Sequence, residues 1–308
     1  MKKKIIVKVA AGVGNQMFMY AHSYALAKKL NYELLIDNTS GFFQKKNTTH
    51  DRTYCLNFFN IDTQIADKEF KFDTYFFHII KKILKILDNF KKRKTFLTEL
   101  KNKKKITFYK NINISYSNKI YVEGYFESEK YFVNYQKDLI KEFTIKKELI
   151  DINNQYINIL KNSNSISIHI RRNRFIEPKD FSDNPNQKIP SQLKKDFALN
   201  DVFDYIFKSI NYFEKTIPNP KFFIWSNNFH DLDKIFDKKQ FTFIQSNTTS
   251  MDFYLFKFAK HFIVGPSSFH WWGAWLNTNE NKICVRPPNS LNPSNNTDFW
   301  PDSWKKID

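Results

Sequence analysis

The chain has 308 residues, of which 42% are hydrophobic and 18% aromatic, and its Lys and Arg exceed its Asp and Glu by 18 charges. This apolar content excludes an intrinsically disordered chain, and a total of six glycines excludes a collagen-like polymer. Two cysteines, Cys55 and Cys284, are too few for a disulfide framework and lack the spacing of zinc ligands. The length suits two domains, which we place at residues 1–150 and 151–308.

The N-terminus begins with a basic Met-Lys-Lys-Lys stretch, as a signal peptide does. The apolar residues that follow are interrupted by Lys8, so we interpret residues 4–10 as a first β-strand. No apolar run reaches the roughly 20 residues that a transmembrane helix needs. Free cysteines without an export signal predict a cytoplasmic protein.

A parallel α/β sheet is predicted at the start of the chain. A turn at 11–14 follows the first strand, a helix is expected over 16–30, and a second strand over 33–37. Residues 38–65 are rich in loop-forming residues. A further strand over 119–126 leads into a helical stretch from Ser128.

The excess positive charge is concentrated in an expected insertion at residues 68–110, which carries 14 Lys and Arg against four acidic residues. Residues 75–90 predict an amphipathic helix whose lysines lie largely opposite its apolar face. The apolar positions are Phe76, Ile80, Ile83, Leu87 and Phe90. Three interpretations are open for 75–105: a solvated surface helix, a peripheral contact with anionic membrane lipid, and a nucleic-acid-binding patch. No known nucleic-acid-binding motif accompanies the patch, so no nucleic-acid partner is expected.

A second doubly wound domain is predicted beyond residue 150, because strands and helices alternate there. Strands are expected at 165–170, 221–226, 241–246, 261–265 and 282–287. Helices are expected at 200–215, 231–236, 252–260 and 268–276. A polar segment at 176–196 contains three prolines and reads as a loop.

A glycine-containing turn, Gly12-Val13-Gly14-Asn15-Gln16, follows the first strand. Glycines let backbone N–H groups approach a phosphate, and the start of the next helix favours an anion. Met17 stands where a dinucleotide-binding fingerprint has its third glycine. An ordinary tight turn is the alternative.

Two arginines follow the strand at 165–170, in the sequence His169-Ile170-Arg171-Arg172. Arginine forms bidentate hydrogen bonds to phosphate oxygens and keeps its charge. Ligands bind beyond the carboxyl ends of strands in α/β sheets, so this pair predicts an anion site. A structural ion pair is the alternative.

Two serines, Ser267 and Ser268, stand between the strand at 261–265 and the helix at 268–276, followed by Phe269. Either hydroxyl can cap the helix or meet a phosphate at its N-terminus. The tryptophans of this helix are expected in the core.

Five segments occur together in this order: GVGNQMFMYAHSYALA (12–27), GYFESEKYF (124–132), SIHIRR (167–172), FFIWSNN (222–228) and KHFIVGPSSFHWWGAWL (260–276). With them the chain closely resembles the bacterial α-1,2-fucosyltransferases of glycosyltransferase family eleven, over about residues 5–290. Residues 40–118 and 176–196 match poorly.

The resemblance implies a GT-B-type fold, in which two Rossmann-like domains face each other across a cleft and the N-terminal domain takes the acceptor. It also implies an inverting transfer, without a metal or other cofactor, from a GDP-sugar, normally GDP-L-fucose. The expected acceptor is a hydroxyl, such as the 2-OH of a galactoside, of a bacterial surface glycan such as lipopolysaccharide or capsule, which is built on a lipid carrier. That carrier motivates a peripheral location at the cytoplasmic membrane.

The resemblance assigns Arg171 and Arg172 to catalysis at the donor's diphosphate, and His169 and Asp252 to the guanine. The rest of the expected donor site is Gly14, Asn15, Ser267, Ser268 and Phe269. Candidate bases for the acceptor hydroxyl are His22, Glu127, Glu177 and Asp180.

One position departs from the family pattern. The motif usually continues Arg-Arg-Gly-Asp-Tyr, whereas Arg174 stands at the acidic position here. An acidic group such as Glu177, Asp180 or Asp183 can substitute from the nearby loop. Alternatively, the donor sugar differs from fucose and is a colitose or heptose.

Overall fold

The computed structural model describes residues 2–43, 53–99, 115–171, 192–246, 248–294 and 296–308, with only the backbone for 192–199. The chain divides into two compact units. The N-terminal unit comprises Met1–Thr144 and Ser294–Pro301, and the C-terminal unit comprises Ile145–Pro293 and Asp302–Asp308. The first boundary therefore lies near the expected residue 150, but a late segment returns to the N-terminal unit.

The N-terminal unit is built on a four-stranded parallel sheet in the order β2-β1-β4-β3. Its strands are β1 (Lys4–Lys8), β2 (Glu33–Asp37), β3 (Lys94–Thr98) and β4 (Tyr116–Glu123). Helix α1 (Val13–Leu30) connects β1 to β2 and is buried along most of its length. It ends at Asn31, whose left-handed conformation (φ 55°) lets its N–H group cap the last turn.

The remaining elements of this unit are α2 (Tyr75–Asp88), α3 (Gln136–Glu142) and several short 3₁₀ turns. The helical stretch expected from Ser128 is present, but it begins as two 3₁₀ helices, Glu129–Tyr131 and Val133–Tyr135, before α3. The expectation that 68–110 is a helical insertion was also incomplete, since β3 lies inside it. The carboxylate of Asp88 accepts the N–H groups of Thr95 (2.8 Å) and Phe96 (3.2 Å) and so holds β3 against the end of α2.

The C-terminal unit contains a six-stranded parallel sheet in the order β10-β9-β8-β5-β6-β7. Its strands are β5 (Asn164–Ile170), β6 (Pro220–Ser226), β7 (Phe241–Phe243), β8 (His261–Ile263), β9 (Cys284–Arg286) and β10 (Lys305–Lys306). With β5 counted as the first strand, this is the Rossmann order 3-2-1-4-5-6. The doubly wound sheet predicted beyond residue 150 is thus present.

Among the described residues, four helices accompany this sheet: α4 (Tyr156–Asn162), α5 (Gln192–Thr216), α6 (Thr249–Phe256) and α7 (Ser268–Leu276). α7 has the predicted bounds. α6 begins before the expected residue 252, because the hydroxyl of Thr248 accepts the N–H of Met251 and caps the helix there. The expected helix over 231–236 is reduced to one 3₁₀ turn, Leu232–Lys234.

Helix α2 is amphipathic as predicted, but its two faces are reversed relative to the usual arrangement. Its buried residues are Lys81 and Asp88, whereas most of its large apolar side chains are exposed. The sequence expectation that the lysines lie largely opposite the apolar side chains is compatible with this arrangement, but it did not foresee that Lys81 would be buried. None of the helices in the described part of the chain is long and apolar enough to cross a membrane.

Candidate active site

The strand order of the C-terminal unit locates one candidate site. From β5 the chain passes to β6 on one side and later to β8 on the other, so the direction of winding reverses between β5 and β8. Ligands of doubly wound sheets bind at the carboxyl ends of the strands that flank such a switch point. His169 lies near the end of β5, Arg171 directly follows it, and Gly265 follows β8. The predicted motifs therefore meet at this position.

Gly265 lies close to the end of the neighbouring strand β5. A Cβ atom on this residue would lie 2.2 Å from the main-chain oxygen of His169, a distance that no side chain can occupy. Glycine is thus required because the strands are close, and its φ is not in the left-handed region. This packing holds the start of α7 beside the end of β5.

The start of α7 is capped by the first of the two serines. The hydroxyl of Ser267 accepts the N–H of Phe269 at 3.2 Å, and Ser267 is fully buried. Capping, the alternative considered from the sequence, is therefore what this hydroxyl does. Ser268 and Phe269 are partly exposed at the N-terminus of a nine-residue helix, where an anion is favoured.

A buried hydrogen-bond network joins the start of α7 to β5. The N–H of Gly265 donates to Nδ1 of His270 (3.3 Å), and Nε2 of His270 lies 2.9 Å from the hydroxyl of Ser167. Because Nδ1 accepts, Nε2 carries the proton and donates to Ser167. Burial lowers the pKa of His270 well below its ordinary value, so the ring stays neutral. Sequence reasoning did not select His270 or Ser167.

His169 lies on the same face of β5 as Ser167 and is also neutral. Burial, together with the charge of Arg171, lowers the pKa of His169 to about 3. Its Nδ1 atom is buried and has no hydrogen-bond partner among the described residues. The ring lies 5.5 Å from that of Phe269, centroid to centroid. Because this nitrogen lies at the end of β5, a ligand bound there can supply its missing partner.

Asp252 lies in the first turn of α6. The next residue, Phe253, packs this turn against the start of α7, since its ring lies 4.5 Å from that of Phe269, centroid to centroid. Burial raises the pKa of Asp252 to about 6, against the opposing effect of its hydrogen bond from the Ser246 hydroxyl (2.5 Å). The carboxylate is therefore ionised at neutral pH and close to its titration range.

In the N-terminal unit, the turn after β1 is organised by Gln16. Its amide donates to the carbonyl oxygens of Ala11 (2.9 Å) and Thr53 (2.8 Å). Gly12 is exposed, and a Cβ atom there would meet nothing within 4 Å. Gly14 is buried and Asn15 partly exposed in the first turn of α1, which carries no acidic residue. The first turn thus carries no negative side chain that would disfavour an anion. The polar contacts of Gln16 were not foreseen.

The sheet of the N-terminal unit has its own switch point, between β1 and β4, and a charge cluster occupies it. Glu123 at the end of β4 binds Lys8 at the end of β1 (2.9 Å) and two lysines of α2, Lys81 and Lys85 (both 2.7 Å). Burial alone would raise the pKa of Glu123, but the charges of Lys8 and Lys81 hold it well below its usual range. Glu123 is therefore an ionised structural anchor and too weak a base to accept a proton.

Of the candidate bases, His22 lies in the core, where its ring stacks on that of Phe126 at 3.6 Å and burial lowers its pKa to about 3. This position favours packing over proton transfer. Glu127 is partly exposed and accepts a hydrogen bond from the hydroxyl of Ser294 at 2.5 Å. The other predicted residues lie outside the described ones: Arg172, Arg174, Glu177, Asp180 and Asp183.

No group of three or more His, Cys, Asp or Glu side chains is placed to hold a metal ion within the described residues. The Asp231-Leu232-Asp233 sequence lies instead at a 3₁₀ turn. There Asp231 pairs with Lys234 at 2.8 Å and Asp233 with Lys238 at 3.1 Å. Both carboxylates thus have lysine partners.

Comparisons with known proteins agree with these motifs. The sequence model of glycosyl transferase family 11 matches residues 1–307. An alpha-1,2-colitosyltransferase of Escherichia coli is 28% identical, with 99% of each chain covered. The O-antigen biosynthesis glycosyltransferase WbnK of Escherichia coli is 27% identical, with 96% of this chain and 98% of the relative covered.

Solved structures share the fold at much lower identity. NodZ alpha-1,6-fucosyltransferase, soaked with GDP-fucose, superposes with a TM-score of 0.52 at 14% identity over 96% of this chain and 98% of its own. A variant of Arabidopsis thaliana FUT1 in complex with GDP gives 0.51 at 11% identity over 94% of this chain and 72% of its own. These likenesses confirm the predicted α/β fold of the GT-B type.

Proposed function

Because the chain belongs to glycosyl transferase family 11, we propose that it transfers a GDP-activated deoxy sugar, L-fucose or the related colitose, to a hydroxyl of a bacterial surface glycan. The two relatives support this proposal by name, since one transfers colitose and the other acts in O-antigen biosynthesis. The structural neighbours were solved with GDP or GDP-fucose. The galactoside 2-OH is the acceptor position that the family resemblance favours.

The observation that carries the proposal is the position of Arg171 at the switch point of the C-terminal unit. Its guanidinium follows β5, and the N-terminus of α7 follows the neighbouring β8. Both are suited to bind a diphosphate, one through bidentate hydrogen bonds and the other through backbone N–H groups. Arg172 adjoins Arg171 in the sequence and is proposed to assist it.

Charge stabilisation is the proposed catalytic role of this arrangement. When the bond between sugar and phosphate breaks, negative charge develops on the departing GDP. A fixed guanidinium and a helix N-terminus stabilise that charge without reorganising. Attack by the acceptor hydroxyl from the opposite face of the sugar then inverts the anomeric centre. We propose that the reaction proceeds in this way without a metal.

The base of the donor is proposed to lie against His169 and Asp252. An ionised carboxylate matches the paired N–H donors of guanine, and burial close to an aromatic cluster strengthens such hydrogen bonds. The unpartnered Nδ1 of His169 offers a further contact. Uracil and cytosine do not present the same pair of donors, which favours GDP over other nucleoside diphosphates.

The N-terminal unit is proposed to bind the acceptor, with the exposed turn at Gly12 at its ligand side. Glu127 is the candidate base that the described residues leave partly exposed. An acceptor assembled on a lipid carrier would bring the enzyme to a membrane surface. The alternative of a non-catalytic nucleic-acid-binding protein has only the basic composition in its favour.

Two measurements test the proposal. A thermal-shift series with GDP, UDP and CMP should show stabilisation by GDP above the others, because a ligand that binds only the native state raises its stability. A panel of GDP-fucose, GDP-colitose and a GDP-heptose then identifies the donor, with proton NMR of the product for its anomeric configuration. Absence of GDP stabilisation, or transfer with retention, would refute the proposal.

A further inference from the structure

Helix α2 presents an apolar surface to solvent that the described part of the fold does not cover. Of the sixteen large hydrophobic side chains that are exposed among the described residues, nine lie between residues 75 and 90. Isolated exposed apolar residues need no explanation, but a contiguous patch marks an interaction surface. We call this the outer face of α2; its members are Tyr75, Phe76, Phe77, Ile79, Ile83, Leu84, Ile86, Leu87 and Phe90.

The reversed orientation of α2 is held by specific contacts. Lys81 is buried and binds Glu123 at 2.7 Å, and Lys85 binds the other oxygen of the same carboxylate. One turn later, Asp88 accepts the N–H groups of Thr95 and Phe96. An amphipathic helix that buries its charges on the sheet must turn its apolar side outward. The exposure of the outer face therefore follows from the packing of the whole unit.

The charges around the outer face indicate what covers it. Lys82 on the helix and Lys92 and Arg93 just after it are all exposed. A second copy of the chain bound through this face would bring these cations close to their own counterparts, which is unfavourable. An anionic surface would pair with them instead. Five of the nine side chains, among them Ile83 and Leu87, are aliphatic. Aliphatic side chains insert into lipid but do not stack on nucleic-acid bases.

We propose that the outer face of α2 is a docking surface for an anionic membrane, with its apolar side chains inserted among the lipids and the adjacent basic residues bound to the headgroups. The helix would lie in the plane of the interface, as amphipathic helices with basic flanks do. This inference deepens the proposed function, on which its biological use rests, because it names the surface that would meet a membrane.

Vesicle co-sedimentation of the full chain, without any sugar nucleotide, tests the docking surface. The vesicles are phosphatidylcholine alone and an equal mixture of phosphatidylcholine and phosphatidylglycerol. Wild type should bind the anionic vesicles strongly and the neutral ones weakly. The double variant Ile83→Glu/Leu87→Glu should bind at least about tenfold more weakly. Lys92→Gln/Arg93→Gln should lose about fivefold per charge, on anionic vesicles only.

A matched control is Ile152→Glu, at an exposed isoleucine of the C-terminal unit (73% exposed), which should bind like wild type. Circular dichroism and thermal unfolding check that the variants fold, as expected for exposed positions. Equal pelleting of wild type and Ile83→Glu/Leu87→Glu would overturn the proposal. So would a wild-type dimer in gel filtration that this variant dissociates, or binding to RNA that the variant abolishes. GDP binding is measured separately, so that a failure of the proposed donor site can be distinguished from a failure of the docking proposal.

Discussion

Gly265 packs so closely against β5 that a Cβ atom there would lie 2.2 Å from the main-chain oxygen of His169. Gly265→Ala must therefore push β5 and the start of α7 apart, and we expect it to cost about 1–3 kcal/mol of the free energy of unfolding. Chemical denaturation measures this loss. Gly12→Ala is the matched control, since its Cβ would meet nothing within 4 Å and its φ of −76° suits alanine. An equal loss in both variants would contradict the assignment.

Arg171→Ala should retain the fold and lose transfer activity by about 10²–10³-fold, the effect of removing one preorganised donor from a developing charge. Arg171→Lys should also be strongly impaired, because an ammonium cannot make the bidentate contact. The rate is measured at saturating GDP-sugar. Lys238→Ala, which removes an exposed cation that pairs with Asp233, serves as the control. Turnover by Arg171→Lys close to that of wild type would rule out the proposed role.

The pKa of about 6 at Asp252 predicts opposite effects of pH on donor binding and on stability. If the carboxylate binds guanine, GDP should bind more tightly as the pH rises through about 6, because only the ionised form accepts both N–H donors. Isothermal titration calorimetry across this range measures the dependence. Asp252→Asn should bind GDP weakly at every pH. A pH-independent affinity of the wild type would remove Asp252 from the guanine site.

The titration of Asp252 also predicts how the stability of the ligand-free protein depends on pH. The folded pKa lies above the unfolded value of 3.8, so the folded state holds the proton more tightly. This contribution to stability is fully present below pH 3.8 and is lost as the pH rises through about 6, amounting to roughly 3 kcal/mol at most. Asp252→Asn lacks this titration. Its stability relative to wild type should therefore increase over that interval in denaturant titrations.

Glu123 neutralises a buried lysine, and its removal should be costly. Glu123→Gln leaves Lys81, which is 5% exposed, without its anionic partner, and we expect a loss of about 3–5 kcal/mol. The double variant Glu123→Gln/Lys81→Met removes both charges and should recover much of the stability. Urea unfolding of the two variants makes the comparison. If the double variant were as unstable as the single one, the Lys81 pair would not be the cause.

The candidate site was predictable where local pattern and strand ends coincide. β5 was recognised from its alternating β-branched residues, and the arginine that follows it fell at a strand end in any parallel arrangement. The buried residues that support this site were harder to identify. The contact of His270 with Ser167 joins residues 103 positions apart in the chain, and only the strand order brings them together.

The orientation of α2 could not be read from its periodicity. A helical pattern defines an apolar face, but the direction of that face depends on what the rest of the unit offers. Here Glu123, 42 residues after Lys81, binds the charged side and decides the outcome. β3 was missed for a related reason. Its residues lie within a basic run, and the contacts that hold them as a strand come from β4 and from Asp88.

The last residues of the chain serve both halves of the protein. Phe299 packs against Phe18 of α1 at 5.9 Å in the N-terminal unit, whereas Trp304 packs against Trp271 of α7 at 5.6 Å in the C-terminal unit. Cutting the gene near residue 144 would consequently not yield two self-sufficient fragments. A short deletion at the carboxyl terminus should therefore weaken both units at once, which thermal unfolding would detect.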